Sequence, residues 1–119
     1  MSGIAFSKSK RFSIRIVRVY SFLHDAKKEY VMSKQLLRSG TSIGANLAEA
    51  ECAVSRSDFL AKVYIALKET AETLYWLELL YETGFLTKTQ YTSLYTDAEE
   101  IRKMLSASTR TLRKKPDGQ

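Results

Sequence analysis

Cysteine and histidine occur once each in these 119 residues, as Cys52 and His24. One cysteine makes no intrachain disulfide, and one histidine supports no multi-histidine metal site. Proline also occurs once, at Pro116, and glycine five times, at Gly3, Gly40, Gly44, Gly84 and Gly118. A β-rich domain spends Gly, Pro and Asn on its many turns. Their scarcity predicts long helices with short connections. No apolar run approaches the roughly 20 residues of a membrane span, and no apolar signal segment opens the chain. These absences predict a soluble, cytoplasmic protein with no cofactor and no membrane partner.

What is present has a globular balance. Hydrophobic residues make 45% and charged residues 27%, unlike a disordered chain. A chain of this length forms one domain, residues 1–119, and buries about two-thirds of its unfolded surface. Residues 1–8 and 115–119 are expected as flexible ends.

Four helices follow from the patterning. The first is expected over about 9–28, with Phe12, Ile16, Val19, Tyr20 and Leu23 on one face. The second is expected over 31–53, with the stripe Leu36, Gly40, Ile43, Leu47 and Ala50. The third spans 56–83, with Ser55 as N-cap, Asp58 in the first turn and Gly84 as the stop. The fourth spans 88–114, opened by the capping-box pair Thr87 and Gln90. Its stripe is Tyr91, Leu94, Ala98, Ile101, Leu105, Ser108 and Leu112. Short loops make successive helices antiparallel neighbours, so the fold class is all-α, an antiparallel up-down four-helix bundle.

The third helix carries more apolar surface than one core face needs. Phe59, Val63, Ala66, Thr70, Leu74, Leu77 and Tyr81 form one stripe. Tyr64, Ala71 and Tyr75 form another, and Ile65, Trp76 and Leu79 lie elsewhere on the wheel. A wide core stripe edged by amphipathic tyrosines accounts for this. A subunit interface through Tyr64, Tyr75, Trp76 and Leu79 is the preferred account. Glu78 and Glu82, four apart on the same helix, call for a cation from another helix or another subunit.

On the second helix Gly40, Gly44 and Ala48 recur every fourth residue. Glycine in a helix costs about 1 kcal/mol relative to Ala. Removing bulk from one face suits close packing of another helix. A phosphate-binding loop is the competing reading, but no Gly-Lys-Ser/Thr follows the glycines. Asn46, mid-helix, is expected to be partly buried and to bond across helices or to a kinked backbone.

Several runs together carry a family resemblance. They are Ile16-Val17-Arg18-Val19-Tyr20, then Leu36-Leu37-Arg38-Ser39-Gly40-Thr41-Ser42-Ile43-Gly44-Ala45-Asn46-Leu47-Ala48-Glu49-Ala50. Ser57-Asp58-Phe59, Ile65-Ala66-Leu67-Lys68-Glu69 and Glu72-Thr73-Leu74-Tyr75-Trp76-Leu77 continue it. The chain resembles the four-helix-bundle family encoded in intervening sequences of bacterial 23S rRNA genes. The likeness covers roughly residues 10–110. It implies an antiparallel bundle, a homo-oligomer that is commonly a five-membered ring, and no enzymatic activity. Related proteins accompany reverse transcriptases of diversity-generating retroelements, so it also implies a possible protein partner of that kind.

The net charge is +6, and it is unevenly placed. Residues 1–24 hold Lys8, Lys10, Arg11, Arg15 and Arg18 and no acid. Lys8, Arg11, Arg15 and Arg18 fall within about 80° of helical arc. Residues 102–115 hold Arg102, Lys103, Arg110, Arg113, Lys114 and Lys115, again without an acid. Between them, residues 25–101 carry eight bases and twelve acids, a net of −4. In an up-down bundle the start of helix one and the end of helix four share one end. The expectation is one continuous basic face, with Lys8, Arg11, Arg15, Arg18, Arg110, Arg113 and Lys114 as nucleic-acid contacts. A solvated face with cations suited to the helix dipole is the competing account. Stacking of bases on Tyr20 or Tyr95 would need those rings exposed.

Catalysis finds little support. Glu69, Glu72, Glu78 and Glu82 suggest a carboxylate-bridged metal bundle only if a Glu-x-x-His motif accompanies them, and none does. Cys52, near Glu49 and Glu51, is expected as a small packing residue rather than a nucleophile. His24 is expected at the surface near the end of helix one. The reading is a non-enzymatic, homo-oligomeric accessory protein that binds nucleic acid, RNA before DNA. A protein-interaction scaffold is the alternative.

Overall fold

The computed structural model describes residues 2–114 and folds them into four helices. These are α1 (Ser2–Asp25), α2 (Met32–Ala50), α3 (Arg56–Glu82) and α4 (Lys88–Lys114). No strand occurs among the described residues.

Helix α1 begins seven residues before the expected start. Ala5 and Ser9 continue the three- and four-residue spacing of Phe12, Ile16 and Leu23, and all five are buried. Of the residues expected as a flexible end, 2–8 extend the helix and Ala5 adds to the core. The same expectation for 115–119 lies outside the described residues.

Helix α2 begins without the usual polar N-cap. Val31 holds that position and offers no side-chain bond. The buried Glu29 supplies the acceptor instead. Its carboxylate accepts from the backbone N–H of Val31 at 2.9 Å, of Met32, and of Ser33 at 3.3 Å. Ser33 Oγ donates back to the Glu29 carbonyl at 2.7 Å. These are N–H groups that a helix start leaves unpaired, and an anion suits the positive end of the helix dipole. Lys28, at φ +55, turns the chain into this arrangement. At its other end α2 stops at Ala50 rather than 53. Cys52 therefore lies exposed in the connection to α3, not packed as expected.

The other caps follow the sequence. Ser55 Oγ accepts from Asp58 N at 3.0 Å. Gly84 adopts φ +87 just beyond α3, a conformation that suits glycine. Thr87 and Gln90 bond reciprocally, with Gln90 Oε1 accepting from Thr87 N and Thr87 Oγ1 from Gln90 N.

Cross-helix contacts fix the topology as antiparallel. Ile16 meets Gly40, and Ser9 and Ser13 meet Gly44. Arg38 pairs with Glu72, and Lys62 with Glu49. Tyr81 stacks on Tyr91, and Arg56 Nη2 donates to the Leu112 carbonyl. In each pair of helices, numbers rise on one as they fall on the other. Each helix lies beside its two neighbours, α1 and α4 close the square through the thinnest seam, and the diagonal pairs stand farther apart. The bundle measures 51 × 21 × 20 Å.

The core takes the expected stripe of α2 whole: Leu36, Gly40, Ile43, Leu47 and Ala50 are buried. From α3 come Val63, Ala66, Thr70, Thr73, Leu74, Leu77 and Leu80. From α4 come Leu94, Ala98, Ile101, Leu105 and Thr109, so Thr109 replaces Ser108 in the last turns. A Cβ on Gly40 would stand 2.9 Å from both Cγ atoms of Ile16, and one on Gly44 would stand 3.3 Å from Ser9 Oγ. Ala48 is exposed, so the close approach of α1 uses only the two glycines. Asn46 is half-buried and donates to the Ser42 carbonyl of its own helix at 2.8 Å. Of the two bonds expected for it, across helices or to backbone, it makes the one to backbone.

Candidate nucleic-acid interface

The basic residues of α1 divide into two kinds. Lys8 and Arg15 turn toward α4 and are paired there. Lys8 Nζ reaches the Glu100 carboxylate. Arg15 donates to Asp97 Oδ2 at 2.6 Å and to Ser93 Oγ at 2.8 Å. In the free bundle these two are ties across the α1–α4 seam. Arg11 and Arg18 lie on the outward side, exposed, with no acid partner among the described residues. Exposed Ile14 and Val17 sit between them, so this face is mixed rather than purely basic.

The expected single patch does not form. Lys8 stands opposite Glu100, and Arg110 lies ten residues farther along α4. That places it about 15 Å beyond the level of Lys8. Arg11 and Arg18 step away in the other direction. Arg110 and Lys114 are therefore apart from the α1 cations, while Lys103, three residues from Glu100, stands near the level of Lys8. Segment charge missed this because the acids of 97–100 answer α1 from a different helix.

The α4 group has its own geometry. Lys103, Arg110 and Lys114 recur at spacings of seven and four, so they share one side of the helix. All three are exposed. That side is turned away from the buried Ile101, Leu105 and Thr109. Arg110 Nη1 donates to Ser106 Oγ at 3.2 Å, within its own helix. None of the three forms an ion pair among the described residues. Arg113 lies to one side, its guanidinium 5.6 Å from the centre of the Tyr64 ring. Lys103 was not among the expected contacts; its spacing to Arg110 and Lys114 is the signal that marks it.

The aromatic residues are distributed differently from expectation. Tyr64 is half-buried under Arg113 of the same chain, so it is not an open interface ring. Trp76 is half-buried, and its Nε1 donates to Glu72 Oε2 at 2.9 Å. Tyr75 is exposed and meets Trp76 edge-on at 5.0 Å. Leu79 is half-buried beside them. Tyr20 and Tyr95 are half-buried and packed against His24 and Tyr91, which leaves neither free as a stacking platform.

Charge is concentrated at the α2–α3 seam as well. Arg38 pairs with Glu72 and, at 3.2 Å, with Glu69. The Trp76 N–H and then the Arg38 guanidinium hold the Glu72 carboxyl below its ordinary range. On α4 the Arg102 guanidinium does the same to Glu99. Burial, with the neighbouring Tyr95, Glu78 and Glu82, pushes the Tyr91 hydroxyl up. Among the described residues no group of three or more His, Cys, Asp or Glu side chains is placed to hold a metal. No helix there is long and apolar enough to cross a membrane.

Comparison with known proteins bears on the whole chain. A family model described as 23S rRNA-intervening sequence protein matches residues 3–107. A similar fold is the crystal structure of a protein of unknown function from the S23 ribosomal protein family of Bacteroides thetaiotaomicron. The two sequences are 53% identical, the match covers 92% of this chain and 97% of that one, and the TM-score is 0.90. No curated protein matches the chain.

Proposed function

The chain belongs to the 23S rRNA-intervening sequence protein family, and from that premise we propose a homo-oligomeric accessory protein that binds nucleic acid, RNA in the first instance. The role is binding rather than catalysis, in the bacterial cytoplasm. The observation that carries the reading is the outward row of Lys103, Arg110 and Lys114 on α4, exposed and without an ion pair among the described residues, with only Lys103 acting at a distance on an acid, Glu99. Three cations along one helix side suit a line of phosphates, and phosphate contacts position a strand without reading its sequence. A homo-oligomer repeats the row and raises avidity without any new contact. The resemblance implies a ring of five, and the apolar surplus on α3 supplies surface for one.

The test is binding to single-stranded RNA across a salt series. Binding at about 50 mM salt should weaken steeply as salt rises, as counterion release requires. Reversing Lys103, Arg110 and Lys114 to Glu should weaken it at least tenfold for every sequence tried, with the oligomer mass unchanged. No binding by the wild-type oligomer at low salt, or no loss in the variant, rejects the reading. In that case the partner-docking scaffold becomes the better account.

A further inference from the structure

Two faces of the bundle match each other, and neither is matched within its own chain. On α1 the outward side carries Arg11, Ile14, Val17 and Arg18. Ile14 is 46% exposed and Val17 47%, and among the described residues neither arginine has an acid partner. On α3 a shallow outward groove is lined by Tyr75, Glu78, Leu79 and Glu82. Tyr75 is 57% exposed, and among the described residues neither glutamate has a cation partner. Each face presents two like charges among apolar side chains, Arg11 and Arg18 flanking Ile14 and Val17, Glu78 and Glu82 alternating with Tyr75 and Leu79, and the signs are opposite.

Their positions in the bundle also correspond. Helices α1 and α3 stand at opposite corners of the bundle. Ile16 meets Gly40, whose neighbour Ser39 accepts from Thr73 Oγ1 at 3.0 Å. Arg15 bonds Ser93, two residues from Tyr91, which stacks on Tyr81. The middle of α1 is thus level with the stretch 73–81 of α3. The two helices also run in the same direction, since each is antiparallel to α2.

We propose that α1 of one copy packs lengthwise along α3 of the next copy, with Arg11 and Arg18 paired to Glu78 and Glu82 and with Ile14 and Val17 against Tyr75 and Leu79. The proposal rests on the homo-oligomeric reading above and names its contact. The occupant is a second copy because the missing cations, the missing acids and the apolar residues all lie on this chain, with Arg18 at the height of Glu78 and Glu82 and Arg11 about one to two turns lower. Joining two different faces is a head-to-tail contact, which closes into a ring when the rotation closes. Parallel helices with Arg18 level with Glu78 and Glu82 call for little axial step, which favours closure over a filament. Burial of the apolar middle holds the contact, and the charge pairs set register and exclude the inverted orientation. Glu78 and Glu82, an unfavourable pair at four-residue spacing in isolation, then each meet a cation.

Sedimentation of the full chain at micromolar concentration tests this. The wild type should run as an oligomer. Arg11→Glu with Arg18→Glu should weaken association at least tenfold and approach the 13.6 kDa of one chain, with helical circular dichroism retained. Glu78→Lys with Glu82→Lys should do the same. All four changes in one chain restore opposite signs and should restore the oligomer. The milder Arg11→Gln with Arg18→Gln gives the same readout if a reversal disturbs folding. A wild-type monomer overturns both the oligomeric reading and this contact. A wild-type oligomer whose mass survives either pair of changes overturns the contact alone, as does failure of the four-fold chain to reassemble. Loss of RNA binding without loss of mass in the α1 variants would assign Arg11 and Arg18 to nucleic acid and also overturn it.

Discussion

At the scale of single residues, partners decide what a charge does. Lys8, Arg11, Arg15 and Arg18 look equivalent on a helical wheel. In the bundle Lys8 and Arg15 are tied to Glu100 and Asp97, while Arg11 and Arg18 are exposed without an acid among the described residues. The wheel reports direction, and only the neighbouring helix reports what lies in that direction. Glu72 is the counterpart on the acidic side. Its carboxylate takes the Trp76 N–H and the Arg38 guanidinium, and its pKa falls below the ordinary 4.5. A lowered carboxyl pKa adds stability above the unfolded value, and that stability is lost as pH falls through the folded one. Urea midpoints should therefore drop as pH is taken below about 4.5, and Glu72→Gln should flatten the drop. Trp76 is the only tryptophan, so its emission should shift over the same pH range in the wild type. An identical acid slope in Glu72→Gln would remove Glu72 from the effect.

At the scale of elements, the caps were legible wherever the cap residue stands at the helix boundary itself. Ser55, Gly84 and the Thr87–Gln90 pair act where their types and spacing place them. The start of α2 was not legible. Its acceptor, Glu29, comes from before the N-cap position and reaches the N–H groups only because the chain turns at Lys28. The small-residue stripe was legible in part. Gly40 and Gly44 face α1, and Ala48 faces solvent, because a four-residue repeat drifts around a 3.6-residue helix. The two glycines should respond differently to alanine. Both substitutions gain about 1 kcal/mol of helix propensity. At Gly40 the new Cβ meets Ile16 at 2.9 Å, and overpacking of about 1–3 kcal/mol outweighs that gain. At Gly44 the neighbour is Ser9 Oγ at 3.3 Å, which yields by a small shift. Denaturant midpoints should place Gly44→Ala at or above wild type and Gly40→Ala below it. The reverse order would mean that α1 packs on α2 in a different register.

At the scale of the molecule, the four seams are unequal. Helices α2 and α3 each lie between two well-packed neighbours, whereas α1 and α4 share the thinnest contact. Local opening draws on the least-packed parts of a fold. Amide exchange should be slowest in the middle of α2 and α3 and faster in α1 and α4. The assembly-weakened Arg11→Glu, Arg18→Glu chain is the sample of choice, since association would protect α1 on its own account. Slowest exchange in α4 would contradict the seam order. The sequence by itself determined four helices, their antiparallel order and most of the core, because these depend on periodicity, on turn residues and on short connections, all of which are local. Only the tertiary structure decided how the +6 charge is spent. Whether a lysine or arginine is answered depends on which acid the next helix brings within a few ångströms. That pairing ties Lys8 and Arg15 to α4, leaves the row at Lys103, Arg110 and Lys114 without an ion pair among the described residues, and leaves α1 and α3 carrying opposite charges that those residues do not join.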